Sequence, residues 1–138
     1  MDTDSQVDSA IQNHSIPNFW TDAVFEEIEL IKEEFTDFEN RVDLRNIPLI
    51  TIDGDRARDF DDAVYCVPKP QGGWRLIVAI ADVSYFVKTG SMIDMAAAER
   101  GNSVYFHTTV VPMLPEVLSN NLCSLLPGKD RFCLACEI

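Results

Sequence analysis

The sequence predicts a mixed α+β fold, and three observations carry that expectation. Trp20, Val24, Ile28, Ile31 and Phe35 recur at the spacing of one helical face. Two apolar runs rich in β-branched residues, Ile47–Ile52 and Ala63–Val67, flank a short acidic segment as strands flank a loop. A Pro- and Gly-rich cluster, Pro68 to Gly73, separates the second run from a third, Trp74–Ile80, which is the pattern of a hairpin.

Taken in order, Met1 to Asn13 is polar and acidic and reads as a frayed start or a linker stub. Ile16 precedes Pro17, which disfavours helix there. Thr21 is placed to cap the following helix, with Asp22, Glu26 and Glu27 near its positive end. That helix is expected to run to about Asp37, with Asn40 as a stop signal. Ile47–Ile52 is expected to be a buried strand with Pro48 near its start. Asp82 closes the third strand as a helper or cap rather than a ligand. Ser91 to Arg100 reads as a short helix capped by Ser91 and ended by Gly101. Ser103–Phe106 and Thr109–Val111 are short extended pieces, Glu116–Asn120 one or two helical turns, and Arg131–Ile138 a last strand.

Composition narrows the function. At 46% hydrophobic residues the chain is globular in kind, but its net charge is -12. A free-standing nucleic-acid binder wants a basic surface, so the charge argues against that class unless metal offsets it or basic modules lie elsewhere. No apolar run reaches the roughly 20 residues that span a bilayer. No basic-then-apolar leader opens the chain. A cytoplasmic protein without a membrane partner is the expectation.

The chemistry concentrates in Asp53-Gly54-Asp55-Arg56-Ala57-Arg58-Asp59-Phe60-Asp61-Asp62. Carboxylates packed this closely raise one another's pKa unless a cation shares them. An oxygen-only donor set suits a hard cation, magnesium or manganese, and magnesium commonly works on phosphate. An EF-hand loop is excluded: counted from Asp53, its required Gly and Glu positions hold Arg58 and Val64. A solvated acidic turn remains open as the plain alternative. Arg58 is either a local charge partner or a phosphate contact. Cys133 and Cys136 form one CxxC, but Cys66 and Cys123 are single, so neither zinc nor a redox pair is expected and buried reduced thiols are the default. His14 and His107 are isolated in sequence from the aspartates.

The run TIDGDRARDFDDAVY, followed by GGWRLIVAIADVSYFV, ERGNSVYF and VPMLPEVLSNNLCSLLPGKDRFCLACEI, resembles the ribonuclease II/R family of RNB-domain exoribonucleases, and most of all its bacterial ribonuclease R branch. The likeness runs from about His14 to Ile138. It implies an α+β chain made of a linker and lead-in helix over residues 1–45 and a truncated N-terminal part of the catalytic domain over residues 46–138. The implied activity is processive 3′→5′ hydrolysis of single-stranded RNA, or of structured RNA with a 3′ overhang, to nucleoside 5′-monophosphates. The resemblance makes Asp53, Asp59, Asp61 and Asp62 the catalytic, magnesium-holding set, with manganese as a substitute. Tyr105 matches the tyrosine that stacks on a base near the 3′ end. Asp55 and Arg56 fall in the signature's variable part, His107 stands where relatives usually have Pro, and Asn121 where they usually have Gly. Other family active-site groups come from later in the domain, so the chain alone is expected to be inactive. The alternative is a non-catalytic remnant that binds metal or RNA at most.

Overall fold

The computed structural model describes residues 3–36, 38–55 and 57–138. The element order is α1 (Thr3–Asn13), α2 (Asp22–Leu30), β1 (Asp62–Pro68), β2 (Trp74–Ala81), α3 (Met92–Arg100), β3 (Val104–Tyr105), β4 (Val110–Val111) and β5 (Cys133–Glu137). This is the mixed helix and antiparallel sheet that the sequence predicts. Two compact units share the chain: Met1–Ile31 with Val87–Glu116, and Lys32–Phe86 with Val117–Ile138. No helix among the described residues is long and apolar enough to cross a membrane.

The first unit holds the three helices and the β3–β4 pair. Its first helix corrects the reading of a frayed start. Val7, Ala10 and Ile11 fall three and four residues apart, and Ile11 is buried, so a thin apolar stripe suffices once it has something to cover. Thr21 caps α2 as expected, its Oγ1 accepting from the Val24 amide at 3.4 Å. Ser91 caps α3 in the same way, accepting from the Asp94 amide at 3.1 Å. Glu27 on α2 accepts from the Ile93 amide at 3.0 Å, which satisfies another of the free donors at the start of α3. Arg100, in the last turn of α3, donates to the carbonyls of Pro17, Phe19 and Pro112 and lies 3.6 Å over the Trp20 ring. Gly101 ends the helix at φ +74, a conformation that favours glycine.

The second helix stops earlier than its apolar spacing predicts. Ile31 is already extended, at φ -74 and ψ 120. Phe35 leaves the helical stripe and joins an aromatic cluster in the second unit, edge-on to Phe132 at 5.0 Å and to Phe86 at 5.9 Å. Burying a large ring among rings outweighs a turn or two of helix propensity. Asp37, where the sequence placed the helix end, lies outside the described residues, as do Met1, Asp2 and Arg56.

A three-stranded antiparallel sheet, ordered β1-β2-β5, organises the second unit. The β1–β2 hairpin pairs Asp62 with Ile80 and Pro68 with Trp74. Its turn closes through Lys69 and Gly73, with Gly72 and Gly73 at positive φ. Ile77, Ala79 and Ala81 alternate onto the buried face, as a strand's period of two requires. One π-type turn, Leu118–Leu122, adds Leu118 and Leu122 to the core. Full burial of a Leu or Ile side chain contributes about 1.5–3 kcal/mol.

The buried strand expected over Ile47–Ile52 is not there. Ile50 alone bridges to Val64, and Ile52 is 79% exposed. The cause is local. Pro48 has no amide to donate, and the amides of Ile47 and Leu49 are turned back on Leu44 and Ile47 at 2.9 and 2.8 Å. Donors used in turns cannot extend a ladder. The expectation of buried thiols also needs correction: Cys123 is buried, Cys133 is half-buried, and Cys66 and Cys136 are exposed. All four are free thiols.

Candidate active site

The acidic loop enters from the Ile50–Val64 bridge and leaves into β1, whose first residue is Asp62. Asp53, Asp55, Asp61 and Asp62 are exposed, and Asp59 is half-buried. Between Gly54 and Ala57 the backbone closes a turn of 2.9 Å. From Arg58 onward it is tied to two other segments. Ser124 Oγ accepts from the Phe60 amide at 3.0 Å and donates to the Arg58 carbonyl at 2.8 Å. The Leu125 amide donates to the Phe60 carbonyl at 2.9 Å, and the Ala81 amide to the Asp61 carbonyl at 2.8 Å.

These constraints bring negative groups together. Protein atoms around Asp61 strip part of its hydration, and the charges of Asp59, Asp62 and Asp53 add to that, so its carboxyl is pushed above the ordinary value. The charges of three of the aspartates singled out by sequence, Asp53, Asp59 and Asp62, thus act on the fourth, Asp61. Their donor chemistry fits a hard divalent cation, which would relieve that field. Among the described residues, no three His, Cys, Asp or Glu side chains converge as a ready-made ligand group. Asp53, Asp59, Asp61 and Asp62 supply oxygen donors only, the donor type that a magnesium or manganese ion takes.

Other residues named from sequence fall as follows. Tyr105 is 64% exposed on β3, opposite Val110, so it is not a core aromatic. Arg58 is exposed and makes no ion pair among the described residues; its carbonyl is the group in use. His14 and His107 are exposed. Asn121 is held rather than loose: its carbonyl and Oδ1 accept from Arg131 at 3.0 and 2.8 Å. Asp82 is buried, with Oδ2 accepting from Arg41 at 2.8 Å and Oδ1 from the Ser84 hydroxyl at 2.6 Å. Burial opposes its charge, but the bonds from Ser84 and Arg41 prevail and hold its carboxyl below the ordinary value.

Ser124 and Arg41 were not legible as site residues in the sequence. Ser124 had one available signal. It is a lone hydroxyl inside the apolar run Leu122 to Leu126, and a buried hydroxyl there needs partners. Its neighbour Cys123 is inert by comparison, burial pushing that thiol up to about 12.

The loop and sheet define the class. The RNB domain family model matches residues 41–138, and the chain belongs to the RNB domain family. Within that class it is similar to ribonuclease R. It is 56% identical to ribonuclease R of Escherichia coli strain K12 over 140 aligned residues, covering 100% of this chain and 17% of that protein. Among solved structures, Mycoplasma genitalium RNase R in complex with double-stranded RNA matches 99% of this chain and 25% of its own, with a TM-score of 0.90 at 36% identity. The same enzyme with ribose-methylated single-stranded RNA matches with a TM-score of 0.87, covering 99% of this chain and 22% of that one. The chain thus spans about a sixth of the length of the curated relative described.

Proposed function

We propose that this chain carries the metal-holding part of an exoribonuclease site that shortens single-stranded RNA from its 3′ end, processively and to nucleoside 5′-monophosphates. The crowding of Asp53, Asp59 and Asp62 on the Asp61 carboxyl is the observation that carries this reading, because carboxylates packed this way are relieved by a cation that they share. Membership of the RNB domain family and the RNA bound in structures of M. genitalium RNase R support the substrate class. A bound magnesium or manganese ion would polarise the phosphoryl oxygens and help make hydroxide from water. Asp53 and Asp62 are the first choice for direct ligands, while Asp59 and Asp61 hold a further ion or orient the attacking water. Tyr105, exposed at 64%, offers a face on which a base can stack without sequence preference. The protein acts in the cytoplasm, on single strands or on structured RNA with a 3′ overhang.

A second reading has one observation in its favour. The net charge of -12 repels RNA, and a polypeptide of these 138 residues supplies few cations to hold a strand in line. By itself it then acts as a metal-binding module with little hydrolysis. The test uses 5′-labelled single-stranded RNA, with and without chelator, and two proteins: these 138 residues, and a ribonuclease R containing them. The longer protein should give a chelator-sensitive ladder from the 3′ end, and Asp61→Asn in it should cost on the order of a hundred- to a thousand-fold in rate while RNA binding persists. Unchanged cleavage by that variant would refute the assignment of the site. Cleavage by the 138 residues near the longer protein's rate would refute the second reading.

A further inference from the structure

Ser124 stands out because it is a fully buried polar residue whose only side-chain polar atom is directed at the acidic loop. Its relative exposure is 0%. One oxygen accepts from the Phe60 amide and donates to the Arg58 carbonyl, so it grips the backbone on both sides of Asp59. The adjoining Leu125 amide takes the Phe60 carbonyl. The hydroxyl is itself well placed: the Ser124 amide donates to the Asn121 carbonyl at 3.0 Å, and Arg131 holds Asn121 through two bonds. A chain of fixed contacts therefore runs from Arg131 to the loop.

Physical need explains the residue type. Crowded carboxylates repel, and an untethered loop relieves that repulsion by spreading. A tether that donates and accepts at once can oppose the spreading without adding charge. Ser does this with one atom, whereas Ala cannot do it and Cys does it only weakly.

We propose that Ser124 is the positioning residue of this site, holding the backbone around Asp59 so that Asp59 and Asp61 meet a divalent cation together. This rests on the metal reading given above. Groups behind metal ligands commonly control affinity about ten- to a hundred-fold when removed. Ser84 serves as the control, since its hydroxyl bonds the buried Asp82.

Manganese binding to the 138-residue chain, followed by electron paramagnetic resonance of the free ion, tests this alongside urea unfolding. Ser124→Ala should weaken manganese binding about tenfold. Ser84→Ala should lower the urea midpoint and leave manganese affinity unchanged. If Ser124→Ala does not fold, Ser124→Cys keeps the side-chain size, weakens the bonds and should show the same loss. Wild-type affinity in the folded Ser124 variant would overturn the positioning role alone. Equal losses in the Ser124 and Ser84 variants would do so too, by making the effect one of general stability. Absence of manganese binding in the wild type would overturn the metal reading, and the positioning role with it.

Discussion

The two arms of the acidic loop carry the same kind of side chain on differently supported backbone. In the first arm, Asp53 and Asp55 are exposed, and the turn from Gly54 to Ala57 is its own local closure. In the second, the backbone from Arg58 to Asp61 is strapped to Ser124, Leu125 and Ala81 before the chain enters β1. Order in the loop therefore comes from long-range partners in one arm and from a single local turn in the other. The second arm has its backbone set by partners far along the chain, and the first rests on one local turn. Fixing the backbone of a charged segment in advance lowers the ordering cost of any binding there.

The largest effect on stability should come from behind the second arm. Ala81 holds the Asp61 carbonyl, and the next residue, Asp82, is buried against Arg41 at 2.8 Å. Asp82→Asn leaves Arg41 half-buried without its counter-charge and should cost about 3 kcal/mol in urea unfolding at neutral pH. The pH dependence has a definite sign. The carboxyl of Asp82 lies below its ordinary value in the folded chain. Its contribution is therefore full above the unfolded value of about 3.9 and lost as pH falls through the lower folded one. The gap between wild type and variant should narrow in that acid range. A gap that widens in acid would contradict the ion pair.

Removing the strap itself comes next. Ser124→Ala leaves a part-buried amide and a carbonyl short of a partner and should cost about 2 kcal/mol, read from the shift in urea midpoint. A cost below about 0.5 kcal/mol would mean that water replaces the hydroxyl and that the second arm is no better anchored than the first.

The smallest effect is expected in the first arm. A Cβ added at Gly54 meets no atom within 4 Å, and that residue's φ is not positive. Gly54→Ala should change stability by less than about 0.5 kcal/mol. Destabilisation equal to that of Ser124→Ala would erase the distinction between the arms.

The features legible from the amino-acid order are local and periodic. The Thr21 and Ser91 caps, the β1–β2 hairpin over Lys69 to Gly73 and the end of α3 at Gly101 each depend on residues within a few positions, so they were legible. The ordered motif around Asp53, Asp59, Asp61 and Asp62 identified the family for the same reason: it is written in one stretch. Tertiary structure decided what depends on partners far along the chain. Phe35 ended its helix early because Phe132, nearly a hundred positions on, supplies a better place to bury a ring. The run at Ile47–Ile52 lost its strand because its amides close local turns, and α1 formed because Ile11 found cover. Ser124 grips the loop from 64 and 66 positions away, a relation no periodicity encodes. Propensity and capping act over single turns, whereas burial and buried hydrogen bonds choose their partners in space.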